Sequence, residues 1–247
     1  MNYLQAENLK HKRSFARKLI LLAPVVTVLM TCLAPLWFQV NAFNWWYVLL
    51  YPGFLTLLCV LIEHKDSGKK KYQTVFPLPA ALSKIWWAKI ETVCLYALIG
   101  NLLLLVLNIM GGIVLKRLSG QPLMIDVSNA VLGTACIVLA SLWEIPFCLW
   151  LAKKSGLFLA LFFHTGCGSV LGVLAASSSL WYYCPYSWVP RLMIPILHIM
   201  PNGMLAQETI LDTPIHTIGF VLAGSLLLFF LLSVLTAKRF ETHGEKR

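Results

Sequence analysis

Acid is scarce in this sequence. Only 10 of its 247 residues are Asp or Glu against 20 Lys and Arg, and charged residues together make up 12%, where soluble domains carry about 25%. Within the long apolar runs Glu144 is the one deep acid, with Glu91 near a run's end. Paired carboxylates for general acid–base hydrolysis are therefore missing, and we expect no catalytic residue and no enzyme. The seven cysteines, at positions 32, 59, 94, 136, 148, 167 and 184, include no CxxC pair. With neither a zinc framework nor a disulfide pattern, they read as small apolar residues. The phosphate-cradling GxxxxGK[ST] loop is absent too, since Gly68, Lys69 and Lys70 lack its spacing and hydroxyl. Any use of nucleotide would fall to a partner chain.

Apolar length is what the chain has in abundance. It is 59% hydrophobic with a mean hydropathy of +0.76. A bilayer core about 30 Å thick takes roughly 20 apolar residues per helix. Runs of that kind lie at 19–38, 43–62, 86–110, 127–151, 157–176 and 217–236. The expectation is an all-α integral membrane protein of six transmembrane helices forming a single domain over 1–247. The first run exceeds the apolar region of a signal peptide, so it is read as a span and not as a leader.

The net charge of +10 could suggest nucleic acid, but its placement argues otherwise. With the N-terminus inside, Lys and Arg gather before the first run, at 65–89, at 153–154 and after the last run. Only Lys116, Arg117 and Arg191 fall outside. This is the positive-inside pattern. Both termini are then cytoplasmic, the protein sits in a plasma membrane, and no nucleic-acid partner is expected.

Residues 1–18 mix Tyr3, Leu4, Leu9 and Phe15 with five cations, as a helix along the inner membrane surface would. A tight hairpin is expected at Gln39–Ala42. A basic cytoplasmic loop, 63–85, joins the second and third runs, and Lys153–Gly156 turns the chain inside. The segment 177–216 has too many prolines for a plain span and too many apolar residues for a free loop. It reads as an extracellular cap, because bare irregular backbone cannot face lipid.

Glu144 is either a substrate or proton site, or a neutral carboxyl near the carbonyl that Pro146 frees. His164, Cys167 and His198 lack the carboxylate and spacing of a metal set and read as core. Gly168 and Gly172 make one GxxxG, the mark of a closely packed helix.

Four stretches carry a resemblance: "AENLKHKRSFARKLILLAP" (6–24), "FNWWYVLLYPGFLTLLCVLIEHKDSGKKKY" (43–72), "FPLPAALSKIWWAKI" (76–90) and "VPRLMIPILHIMPNG" (189–203). Together they resemble the permease subunits of lantibiotic-immunity ABC transporters, small six-span members of the ABC-2 type. The resemblance implies two permeases, the same or different, working with a dimer of a separate ATPase that carries the ATP and Mg. No cofactor is expected in this chain. Its function would be to expel cationic antimicrobial peptides from the bacterial cytoplasmic membrane.

On this reading the loop seats on the ATPase through Glu63, Lys65, Pro77, Leu78, Pro79, Leu82 and Lys84. Trp181, Tyr183, Trp188, Arg191 and Asn202 of the cap are the candidate substrate contacts. The lysines Lys69–Lys71 would pair with acids on the partner or with anionic lipid; alternatively they only set topology. A peptide-binding adaptor or sensor without transport is the alternative function, and a membrane enzyme using Glu144 a third.

Overall fold

The computed structural model describes residues 2–67, 72, 75, 81–120, 122–206 and 215–245, without the side chains of 119, 215, 216 and 243–245. The described chain is helical, and its one β-type contact is the isolated bridge between Ile199 and Leu205. Ten α-helices follow in order: α1 Tyr3–Lys10, α2 Phe15–Thr31, α3 Phe38–Trp45, α4 Tyr51–Ser67, α5 Leu82–Ser119, α6 Val127–Ala140, α7 Glu144–Ala160, α8 Gly168–Ala176, α9 Trp188–Leu197 and α10 Ile215–Glu245. Two π-helical segments interrupt them, Trp46–Leu50 before α4 and Leu161–Cys167 before α8.

By length and composition, four helical stretches among the described residues can cross a membrane, or five if α1 and α2 count as one bent span. The protein is thus an all-helical membrane protein. Large apolar side chains on the outside, including Leu21, Leu102, Val106, Leu171, Leu227 and Phe230, are exposed. Contiguous apolar surface of this kind suits lipid contact and not water. At 38 residues, α5 is about 57 Å long and overshoots the hydrocarbon core. Gly120 stops it in the left-handed conformation, φ 71°, donating its N–H to the Lys116 carbonyl.

The first elements depart from expectation. The inner-surface helix of 1–18 is shorter: α1 ends at Lys10, and α2 leaves it at 78°. The hairpin expected at Gln39–Ala42 lies earlier, because those residues belong to α3 and the chain turns through Cys32–Trp37. Pro35 begins a 3₁₀ turn there, a position where its missing N–H costs nothing. The basic loop is also shorter than 63–85, as α4 runs to Ser67 and α5 starts at Leu82.

The stretch Glu144–Ala176 satisfies the criteria for one span, yet it is not a straight rod. Glu144 and His164 meet at 3.4 Å, whereas 20 residues of straight helix would separate them by about 30 Å. The chain folds back at Gly156, whose φ of 75° and ψ of −171° are non-helical. That region of backbone space belongs almost solely to glycine. The reversal falls where Lys153–Gly156 was expected to turn.

Gly156→Ala should destabilise the protein by about 1–2 kcal/mol through this backbone alone, since a Cβ there meets no atom within 4 Å. Thermal unfolding in detergent reads the effect. An unchanged midpoint would mean that the reversal does not need glycine.

Contacts along the helices fix their relative directions. Arg17 and Asn8 reach Tyr96, while Gln39 at the far end of the first pair accepts from the Met124 and Ile125 amides. α10 lies antiparallel to α5, with Trp86 Nε1 donating to Thr236 Oγ1 at 2.9 Å and Ser83 donating to Glu241. One end of the bundle therefore collects α1, the C-terminal ends of α4 and α10, the start of α5 and the Gly156 turn. This is the basic end. The opposite end holds the Cys32–Trp37 turn, Gly120 and the segment 177–206.

The GxxxG expectation is met, but the neighbour is not another span. A Cβ on Gly172 would lie 2.6 Å from the Tyr186 carbonyl oxygen, and one on Gly168 would lie 2.6 Å from the Tyr186 ring. The pair lets the cap, not a helix, approach α8.

Candidate functional site

Two buried polar clusters stand out in a bundle otherwise built from Trp, Phe, Leu and Ile. The first sits at the basic end. Lys89 projects from α5, fully buried, and its Nζ lies 2.7 Å from Asp66 Oδ2 and 3.3 Å from Glu63 Oε2, both on α4. From α1, Lys10 Nζ lies 2.6 Å from Glu7 and 3.3 Å from the same Asp66 oxygen. His11 Nε2 stands 3.5 Å from Glu7.

Glu7–Lys10 and Glu63–Asp66 are each three residues apart, so each pair shares one helix face. The faces converge on Lys89, and the cluster joins α1, α4 and α5. Burial tends to raise the Glu7 pKa, but His11, Lys89 and Lys10 outweigh it and hold the carboxyl down to about 2.

Tyr72, between α4 and α5, is tied down beside this cluster. The Tyr72 N–H donates to the Asp66 carbonyl at 2.9 Å, and Tyr72 takes a left-handed φ of 63°. Its buried ring meets Phe240 of α10 edge-on at 5.7 Å. Phe240 stacks on Trp86 at 4.9 Å, and Lys153 Nζ lies 4.2 Å over the Phe240 ring.

These placements bear on the expected coupling residues. Lys65 and Lys84 are exposed, and Leu82 is half-buried. Glu63 is turned inward onto Lys89 and is not a surface group, although it belongs to the same structure. Pro77, Leu78 and Pro79, like Lys69–Lys71, lie outside the described residues.

The second cluster lies inside the bundle. The Thr56 hydroxyl on α4 donates to the Pro52 carbonyl at 2.8 Å, which leaves its oxygen to accept from His164 Nδ1 at 3.1 Å. His164 Nε2 then faces Glu144 Oε2 at 3.4 Å. With Nδ1 turned to Thr56, Nε2 is the ring nitrogen left facing the carboxyl. Thr165 completes the group, 3.0 Å from the Thr56 oxygen.

The π segment changes the helical register where His164 sits, a common way to re-aim a side chain. A cavity of about 20 Å³ adjoins Glu144 and is lined by Tyr51, Gly168 and Tyr186, among others. Glu144 was expected either as a site or as a neutral carboxyl near Pro146. Its carboxyl lies 3.4 Å from the imidazole of His164, which is fully buried as its reading as core implies.

The cap is packed inward and is not a plain aromatic belt. Trp181 is buried, stacked on Tyr182 at 3.8 Å, with the Arg191 guanidinium 5.5 Å above its ring. Arg191 also donates to the Ala176 carbonyl. Trp188 is buried and donates to the Tyr182 carbonyl at 3.2 Å. Helix α9 behind them is mostly buried, and Leu197 packs on Gly133 of α6. Of the five substrate-contact candidates, Trp181 and Trp188 hold the cap together and Arg191 braces it. Tyr183, 85% exposed, and Asn202 face outward.

Sequence reasoning missed Lys89 as a network centre, along with Glu7, His11, Asp66 and Thr56. A signal for Lys89 was present, a cation three residues into an apolar run, but its partners Glu63 and Asp66 come from another helix, α4. Among the described residues no group of three or more His, Cys, Asp or Glu could hold a metal ion. No protein-family model, curated protein or solved structure matches the chain.

Proposed function

We propose that the chain is the permease subunit of an ABC transporter that expels lantibiotic or related cationic antimicrobial peptides from the bacterial cytoplasmic membrane. In this reading it crosses the membrane six times with both termini inside. The reversal at Gly156 and the antiparallel run of α5 and α10 support that count. The positive-inside distribution supports the orientation.

The observation that carries the reading is the anchoring of Tyr72, between α4 and α5, and of the helix ends that flank it. An ATPase that closes on nucleotide must deliver a push to helices that cannot slip past one another. Both flanks of the loop are locked by Lys89 to Glu63 and Asp66, and Tyr72 ties its interior to α10. A displacement at the loop would thus move α4, α5 and α10 together. From α4 it would reach the Glu144–His164 group through Thr56. Lys65 and Lys84 are the described groups free to meet acids on an ATPase dimer, whose ATP and Mg supply the energy. A second permease would complete the path, with Tyr183 and Asn202 meeting the peptide.

Pull-down from native membranes tests this directly. Wild-type chain should bring down an ATPase. Replacing 77–83 by Gly and Ser should abolish that association and the immunity, while insertion remains normal. Undiminished co-purification of the ATPase would remove the coupling role. Peptide binding with no ATPase in wild-type pull-downs would instead favour an adaptor.

A further inference from the structure

At the basic end, between α5, α7 and α10, lies a cavity of about 270 Å³ lined by Trp86, Trp150, Lys153, Lys154, Thr236, Arg239 and Phe240. Three of these seven residues are cations and three are aromatic. Lys154 Nζ stands 5.2 Å over the Trp150 ring, and the Arg239 guanidinium stands 5.8 Å over the same ring. Both side chains belong to exposed residues. Their charges converge on one indole at the mouth of the cavity.

The two exposed cations at the mouth, Lys154 and Arg239, disfavour a cationic occupant and select an anion. The position selects its kind. Leu231 and Leu235 are exposed on α10, 52% and 48% respectively, and precede Arg239 at intervals of four residues. They share its side of the helix, so an apolar strip leads up to the charged mouth. Beyond the Gly156 turn, Leu157 and Phe158 are exposed as well. A partly exposed tryptophan such as Trp150 favours the level where headgroups meet acyl chains. Basic pockets between membrane helices at this depth suit the headgroups of anionic lipids.

We infer that this cavity binds the phosphodiester headgroup of an anionic phospholipid. Lys154 and Arg239 hold the phosphate, Trp150 backs it, and the acyl chains follow the Leu231–Leu235 strip. The inference does not rest on the transporter reading. A bound lipid here would wedge between α7 and α10 beside Tyr72 and Phe240.

The test uses the full chain, purified in detergent and in nanodiscs, with retained phosphatidylglycerol measured by native mass spectrometry. The double variant Lys154→Gln, Arg239→Gln removes both mouth charges but leaves the Lys89 network intact. A control, Lys65→Gln, Lys84→Gln, removes equal charge from exposed positions outside the cavity. Wild type and control should retain phosphatidylglycerol alike, whereas the mouth variant should bind it roughly twenty-five-fold more weakly, from about fivefold per basic residue at the membrane surface.

Equal loss in the control would reduce the effect to net charge and overturn the site. Displacement of the lipid by inorganic phosphate alone would make it a small-anion site and overturn the lipid assignment. Loss of a co-purifying protein with lipid retention unchanged would make the cavity a protein contact, which also overturns it. Failure of the ATPase pull-down would leave all of these readouts unaffected.

Discussion

Lys89→Met should destabilise the protein by about 3–5 kcal/mol, the usual cost of removing one partner from a buried ionic group. Lys89 is the sole cation of α5 in the cluster, and its loss leaves Glu63 and Asp66 buried against each other with no buried cation in direct contact, Lys10 being partly exposed. The methionine fills most of the volume, so the effect is electrostatic and not a cavity. Unfolding in detergent should begin with release of α1, visible as faster amide hydrogen exchange over Tyr3–Lys10.

The triple variant Lys89→Met, Glu63→Gln, Asp66→Asn removes the stranded charges and should recover most of the stability, because buried ionic groups can often be replaced by neutral ones at little cost. A single variant as stable as wild type would mean that water reaches the cluster and the network holds nothing. The same triple variant separates architecture from coupling. With stability restored but the lock between α4 and α5 loosened, ATPase association should persist while immunity falls.

The second large effect is expected inside the membrane. His164→Leu strips Glu144 of its imidazole and Thr56 of a donor, at an expected cost of about 2–3 kcal/mol. Replacing both partners, Glu144→Leu with His164→Leu, should be milder than the sum of the single changes, since no polar group is then left facing an apolar wall. The coupling free energy from that double-mutant cycle should lie between about 0.5 and 3 kcal/mol. Additive single effects would show that the 3.4 Å approach carries no interaction. Glu144→Gln then reports on function. Normal assembly with lost immunity would give the Glu144 carboxyl a part in the working cycle, and normal immunity would confine it to packing.

Much of this protein can be read from residue order because a bilayer imposes simple rules. Long apolar runs must become helices, since backbone polar groups have no water to pair with, and α2, α4, α5 and α10 lie within or across the runs marked for them. The clustering of lysines told which ends belong together, and Lys65, Lys84, Lys153, Lys154 and Arg239 do share one end. Gly156 in its basic turn and the Gly168–Gly172 pair were legible because glycine has few reasons to sit where it does.

Partnership was not legible. Apolar patterning says that a face is buried but not against what. Glu63 therefore read as a loop contact when it faces Lys89, and the GxxxG pair gave no hint that Tyr186 of the cap would fill its notch. Glu144 and His164 are 20 residues apart and meet only because one glycine reverses the chain and a π segment turns the imidazole inward. Electrostatics acts through distances in space, and those are set by packing between helices that local sequence does not encode.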